Sequence, residues 1–442
     1  MHTLKVTLKQ HTPLIHFQHD QDGATLRASE VKPRLDKYIL NKLTPEERTQ
    51  GEKDGWIKKG NEKVWLDYKM NIRACGKKKE FLIASLLSSS CIIDENNGTI
   101  NESSLPFTIL RTTPFFAQES VNSSNKQEDS PVFYKKKNKE DKYDFLYDED
   151  NWESIGKKGL MWDSLEMKLS SIHDALINRI DSCLTDFFIC TNFGTRSSKG
   201  FGSFTRICDN ETVLKALKSN YKFVYKKSKT INNLGIVFKT IKEDYQLIKS
   251  GVNHNGYTKS ILFCYAVKKM ENNPRWEKRF FKKAVKDKMG YNKRLFDRNN
   301  PPIYDIDGNM RWEDPQKYEY RYLRALLGLA EQFEFLLEYK QDGAWRRDKR
   351  NKLVIKPKVS EVERYESPII FKIINGVIYI VGNDVNKGLL GKQTQLMYSI
   401  GNREVPVSQK DKSLSTPVSF VLSDFMEFAM GKGFNLGYIK EK

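Results

Sequence analysis

Cysteine is scarce in this chain. Six occur in 442 residues, at Cys75, Cys91, Cys183, Cys190, Cys208 and Cys264, and none forms a Cys-x-x-Cys pair. So sparse a set excludes a disulfide scaffold and offers no zinc spacing, so reduced thiols are expected. Long apolar runs are missing too. None approaches the ~18 residues that a membrane-spanning helix needs. Histidine is limited to six residues, four of them between Met1 and Asp20. That opening stretch lacks the apolar core of a secretory signal peptide. The expectation is a soluble, cytoplasmic protein with no membrane partner. A Gly-x-x-x-x-Gly-Lys-Ser/Thr loop is also absent, which leaves nucleotide hydrolysis without support.

Acidic residues are outnumbered. Lys plus Arg total 75 against 56 Asp plus Glu, a formal net charge of +19. Hydrophobic residues at 39 % and aromatics at 12 % supply a core and exclude a fully disordered chain. At roughly 100–200 residues per domain, two or three domains are expected. A basic, aromatic-rich chain suits a polyanion. Its cations can meet phosphates, and its rings can stack on single-stranded bases.

Leu4, Val6 and Leu8 alternate with polar neighbours and predict a strand, with Leu14, Ile15 and Phe17 resuming after Thr12-Pro13. Ser29 is placed to cap a helix with Pro33 in its first turn and Val31, Leu35, Tyr38 and Ile39 on its apolar face. Further apolar stretches occupy 64–74 and 81–93. Residues 117–151 turn polar and charged and read as a mobile surface insertion, or as an RNA-contacting arm through Lys135, Lys136 and Lys137. Leu165, Leu169, Ile172, Leu176, Ile180 and Leu184 recur at three- and four-residue steps, predicting one long helix over 160–189. Residues 234–238 read as a strand. Residues 275–289 read as a basic helix, with Trp276, Phe280, Ala284 and Val285 inward and Arg279, Lys282, Lys283 and Lys286 outward. A helix is expected to end near Gly328, and an exposed basic strand or loop to span 346–358. A hairpin should turn at Asn375-Gly376, between β-rich runs at 368–374 and 377–381. Alternating strands and helices with a late hairpin give the class α+β.

The most informative segment follows the long helix: Asn192-Phe193-Gly194-Thr195-Arg196-Ser197-Ser198-Lys199-Gly200-Phe201-Gly202-Ser203. Three glycines permit torsions and close approaches that side chains forbid. Backbone amides with the cations Arg196 and Lys199 suit a phosphate. The pattern is not a dinucleotide fingerprint, because these glycines follow a helix and lead toward Phe201 and Phe204. By itself such a loop reads equally well as a structural turn.

This segment resembles the glycine-rich loop of the RAMP superfamily, the RNA-binding proteins of CRISPR effector complexes. Thr12-Pro13-Leu14, followed by Leu26-Arg27-Ala28-Ser29-Glu30-Val31-Lys32, resembles the family's first strand and first helix. Residues 363–372 resemble a recurrent RAMP segment, Arg-x-x-Ser-Pro then a strand, and Leu326-Leu327-Gly328-Leu329 resembles the segment before it. Order and spacing fit the first-numbered subunit of the type III-B Cmr complexes. The resemblance implies tandem ferredoxin-like domains at about 1–210, with the glycine-rich loop at 194–202, and 211–442. It implies a non-catalytic subunit that contacts the 3′ part of the crRNA and helps capture target single-stranded RNA in antiviral defence. Other RAMP and Cas subunits would be its partners, with no cofactor and no metal. Its RNA contacts would be Gly194, Arg196, Ser197, Lys199, Gly200, Phe201 and Gly202. Arg27, Lys32 and Arg34 would lie beside them, with Arg279, Lys282 and Lys283 further along the chain.

Two ribonuclease readings stand beside it. Guide-processing relatives use a histidine as general acid or base toward the 2′-hydroxyl. His11, His16 and His19 lie near the first strand, with no tyrosine or lysine partner evident. Backbone relatives cut target RNA with a loop aspartate, and Asp20 and Asp22 occupy such a loop. Their plain role is turn chemistry. His16-x-x-His19-Asp20 has no third recognisable metal ligand. A scaffold without intrinsic RNA affinity is the remaining alternative.

Overall fold

A computed structural model describes residues 1–15, 25–60, 63–84, 108–111, 133–137, 143–147, 156–253, 257–272, 274–286, 293–295, 303–304, 319–330, 332–362, 365–431, 433–434 and 436–441. The architecture is mixed α+β. The chain forms two compact units: Met1–Lys239 with Ile370–Val381 and Glu441–Lys442, and Thr240–Ile369 with Gly382–Lys440.

The first unit contains β1 (His2–Gln10), β2 (Leu14–Ile15), α1 (Ala28–Lys42), β3 (Lys69–Ala84), β4 (Thr108–Arg111), β5 (Gly156–Ser171), α2 (Asp174–Cys190), β6 (Phe204–Arg206), α3 (Asn210–Asn220) and β7 (Phe223–Lys227). Its main sheet has the order β6-β1-β5-β3-β4, with β2 also on β5. Val6 and Leu8 of β1 lie opposite Met167 and Leu165 of β5. One sheet face buries these residues against Val31, Leu35 and Ile39 of α1 and Leu176, Ile180 and Leu184 of α2. Each fully buried aliphatic side chain contributes about 1.5–3 kcal/mol relative to exposure.

Residues 156–171 form a strand, not the front of a long helix. Leu165 and Leu169 stand four apart, a spacing that both periods satisfy. Met167 between them is also buried while Glu166 and Lys168 are exposed, which is the alternation of a strand. The helix begins at Asp174, and Ile172 is exposed. In α1 the N-cap is Arg27 rather than Ser29, because the Glu30 and Val31 amides both donate to Arg27 O. Pro33 consequently lies inside the helix, on its exposed side. Residues 234–238 open a helix, α4 (Leu234–Lys249), rather than forming a strand. Asn233 caps it, its side-chain oxygen accepting from Ile236 N at 3.1 Å, and Val237, Phe238, Ile241, Tyr245 and Ile248 then share the buried face.

The hairpin expected around Asn375-Gly376 is present, as strands Ile369–Ile374 and Val377–Gly382. Asn375 and Gly376 have φ of 49° and 75°, the left-handed torsions of a two-residue hairpin turn. The second of these strands pairs with β7, so the hairpin extends a sheet of the first unit. Of the 117–151 segment, Phe133–Lys137 and Tyr143–Tyr147 form an antiparallel pair that carries Lys135, Lys136 and Lys137; the remainder lies outside the described residues.

The second unit contains the antiparallel strands Phe333–Gln341, Ala344–Val359 and Gln393–Ile400. The basic stretch 346–358 falls in the middle strand, which buries Leu353, Ile355 and Val359. The basic helix spans Glu277–Lys286 and buries Phe281 rather than Phe280, together with Ala284 and Val285. A 3-10 helix, Leu323–Leu327, ends at Gly328 with φ of 106°. Glu277 is fully buried and accepts from the Arg324 guanidinium and from Leu323 N, the latter at 3.1 Å. That guanidinium also lies over the Phe333 ring, 4.3 Å from its centroid. Leu329 N donates to Tyr365 O at 3.1 Å, so two short segments that carry the resemblance meet in space. Among the described residues no helix is long and apolar enough to cross a membrane.

Candidate nucleic-acid interface

The glycine loop is closed at its base. Asn192 and Ser203 form a β-bridge, and Phe193 N donates to Gly202 O at 2.9 Å. Between them the chain turns through Arg196 (φ 57°), where Lys199 N returns to Arg196 O at 2.9 Å. Two of the glycines are sterically required. A Cβ at Gly194 would stand 2.5 Å from Ile15 O, and one at Gly202 would stand 1.9 Å from Phe193 O. Both also have positive φ, 74° and 65°. The link between β1 and β2 holds the loop from below. Thr12 Oγ1 donates to Gly200 O at 2.8 Å and accepts from Ser203 N at 2.9 Å. Gly202 N donates to Pro13 O, and Thr195 N to Ile15 O. The Thr12-Pro13-Leu14 signature is thus the loop's floor.

The late hairpin holds the loop from the side. Phe371 N donates to Ser198 O at 3.0 Å, and Ser203 Oγ donates to Ile373 O at 2.8 Å. Asn192, buried, joins the two. Its Nδ2 donates to Ser197 O at 2.7 Å and Phe371 O at 3.0 Å, and its Oδ1 accepts from Lys372 Nζ at 2.5 Å. Lys372 is fully buried, and burial pulls its pKa down to about 7, with nearby Cys190 opposing the shift. Burial likewise pushes the Cys190 thiol up to about 12. Neither Asn192 nor Lys372 stands out in the sequence. Their partners lie some 180 residues away, and no local pattern encodes the pairing.

The first helix supplies the charge at the loop's rim. Glu30 Oε1 accepts from Gly194 N at 2.8 Å. Arg34 Nη1 donates to Asn192 O at 2.9 Å, and its guanidinium lies 5.4 Å from the Phe193 ring centroid. The Arg34 side chain stays 46 % exposed, so it can still meet a ligand. Arg27 and Arg196 are half-buried, as is Ser197. Lys32 turns elsewhere, donating to Asp36 and to Leu66 O at 2.8 Å each and lying over the Tyr68 ring. Lys199 is only 7 % exposed. Phe201 is fully buried and stacks on Phe238, with centroids 4.1 Å apart, so its ring offers no face to a base. The amides of Gly194, Thr195, Lys199, Gly200 and Gly202 are already committed within the protein. An anion at this rim would therefore be met chiefly by side chains. Arg279 and Lys282 are half-buried and Lys283 is exposed, on the Glu277–Lys286 helix of the second unit.

His11 is built into the fold. Its Nε2 lies 2.8 Å from Thr205 Oγ1, and its Nδ1 accepts from Asn375 N at 3.4 Å. Burial, with the charges of Lys9 and Lys372, holds its pKa down to about 3. It is therefore a neutral structural imidazole at physiological pH. His16, His19, Asp20 and Asp22 lie outside the described residues. Among the described residues no group of three His, Cys, Asp or Glu side chains is arranged to hold a metal ion.

A family model described as the Cmr1 N-terminal domain matches residues 1–252. A second, described as the Cmr1 C-terminal domain, matches residues 257–440. No curated protein and no solved structure matches the chain.

Proposed function

Since the chain belongs to the Cmr1 family and is a subunit of a type III-B Cmr complex, we propose that it binds RNA within that complex without cutting it. Its association with the other Cmr subunits follows from the family. The finer reading is that each half is a ferredoxin-like RAMP domain, and that the glycine loop contacts the 3′ part of the crRNA and helps hold target RNA. Arg34 and Arg196 supply the charge there, with Arg27 and Ser197 beside them. Gly194, Gly200, Phe201 and Gly202 act by shaping the loop, and Lys199 by packing within it. Arg279, Lys282 and Lys283 add contacts from the second unit. Base pairing reads sequence, while the protein holds phosphates and shape.

The observation that carries this reading is the closed loop itself. Its glycines, its Thr12 floor and its Asn192 brace fix a rim on which Glu30 and Arg34 meet the Gly194 and Asn192 backbone. Such fixation removes the ordering cost that a mobile loop would incur on binding. A histidine-based ribonuclease loses its described candidate, because His11 is buried and bonded on both nitrogens.

One titration tests the proposal. End-labelled single-stranded RNA of guide length is mixed with the full chain, and each sample is split between a native and a denaturing gel. A shifted band with intact RNA is expected. Arg34→Ala with Arg196→Ala should weaken binding about tenfold or more and reduce the log–log salt slope by about 0.7 for each phosphate left unneutralised. Unchanged affinity with an intact melt removes the loop from the interface. Shortened RNA, surviving changes at His11, His16 and His19 but stopped by Asp22→Ala, makes the protein a nuclease instead.

A further inference from the structure

The strands β1, β5 and β3 bury one face against α1 and α2 and leave the other exposed. Three cross-strand rows lie on that outer face: Thr3–Ser170–Lys69, Lys5–Lys168–Asn71 and Thr7–Glu166–Arg73. All nine side chains are exposed except Ser170, which is half-buried. The rows hold four cations and one carboxylate, and the Arg73 guanidinium already occupies that carboxylate. The middle row sets Lys5 directly opposite Lys168. Among the described residues neither lysine has an ion-pair partner. Like charges directly opposed destabilise an antiparallel pair. A sheet optimised only for its own stability would not keep them there, and a bound anion would relieve the cost.

We propose that this face is a second RNA surface, a phosphate track for single-stranded RNA with Lys5, Lys168 and Lys69 as its cations. The proposal rests on the reading of the protein as RNA-binding and adds a surface separate from the glycine loop. Hydroxyls of Thr3, Thr7 and Ser170 and the Asn71 amide supply hydrogen bonds for phosphate and sugar oxygens. The rows contain no aromatic or large apolar side chain, so the track does not stack bases. The same composition argues against a protein partner, because interface cores are depleted in lysine and rich in aromatic residues.

Lys5→Glu in the full chain separates binding from folding, because the two should move in opposite directions. The introduced carboxylate faces Lys168, so the melting temperature should rise. RNA affinity should nevertheless fall about tenfold, because the track's local charge has dropped by two. Lys5→Gln with Lys168→Gln should lower the log–log salt slope by about 1.4, two phosphates at about 0.7 each on single strands. Affinity and slope that stay unchanged in both variants overturn the track. So does loss of co-purification with other Cmr subunits at unchanged RNA affinity, which assigns the face to protein docking. If wild-type protein binds no RNA, the proposed function falls and the track with it. If binding is lost on Arg34→Ala with Arg196→Ala but not on Lys5→Glu, the track alone falls.

Discussion

Lys372 Nζ donates to Asn192 Oδ1 where both side chains are buried. The amide of the same asparagine reaches Ser197 O in the glycine loop and Phe371 O in the late hairpin. One side chain thus braces two segments that are remote in sequence. Burying polar groups is tolerable only when they are satisfied, and all three of these bonds end on Asn192.

Asn192→Ala should therefore cost about 3 kcal/mol, because it leaves the buried Lys372 without its Asn192 acceptor and removes the bonds to Ser197 O and Phe371 O that tie loop to hairpin. Asn192 is a positioning residue rather than an RNA contact, so it should act on the loop's order. RNA affinity should fall while the salt slope, set by the retained cations, stays near the wild-type value. Melting and a salt titration on one preparation check both. A slope reduced as far as in Arg34→Ala would count against this role.

Lys372 and His11 should make stability depend on pH in the same direction. Both are bases whose folded pKa lies below the ordinary value, about 7 against 10.5 and about 3 against 6.5. Between each pair of values the unfolded chain binds more protons, so stability rises with pH there and is lost as pH falls. Each group contributes at most about 1.4 kcal/mol per pH unit. Wild type should gain stability over Lys372→Met as pH rises from 7 toward 10. Parallel melting curves across that range would contradict the buried charge balance.

Gly202→Ala and Gly343→Ala make an informative pair. Both glycines have positive φ, 65° and 79°. A Cβ at Gly202 meets Phe193 O at 1.9 Å, whereas one at Gly343 meets nothing within 4 Å. Gly343→Ala should cost about 1–2 kcal/mol, the torsional penalty alone. Gly202→Ala should cost more than about 3 kcal/mol or prevent folding. Equal melting temperatures would show that the loop relaxes freely.

In the second unit, removing one member of the Glu277–Arg324 pair should be costly. Glu277→Ala leaves a buried guanidinium between Trp276 and Phe333, at about 3–5 kcal/mol. Glu277→Leu with Arg324→Met should recover much of that loss, because an apolar replacement leaves no uncompensated charge. Denaturant unfolding of both variants decides it.

Features encoded locally were legible in the sequence. The alternation of Leu4, Val6 and Leu8, the Asn375-Gly376 turn and the helix stop at Gly328 each carry their own torsional or periodic signature. Local pattern misleads where two periods coincide or where a capping residue precedes an apolar run. Leu165 and Leu169 fit helix and strand equally, and Asn233 converts an apolar run into a helix. At the loop, Gly194, Gly202 and Arg34 could be found because glycine and arginine announce unusual torsions and charge. The burial of Lys199 and Phe201 could not, since it depends on Phe371 and Phe238, which only tertiary structure brings near. The brace at Asn192 is hidden for the same reason, since Phe371 and Lys372 are remote in sequence.

The placement of the late hairpin also bears on how the protein is made. About 130 residues separate Lys239 from Ile370, so at roughly 5–20 residues per second a ribosome needs roughly 7–26 s before the late hairpin of the first unit begins to emerge. For that interval β7 lacks both of its strand neighbours, Val377–Gly382 and Tyr438–Lys440, and Asn192 has neither Phe371 nor Lys372 to bond. The nascent chain is therefore exposed to mispairing during synthesis, and slowing elongation across 240–369 should lower the yield of folded subunit.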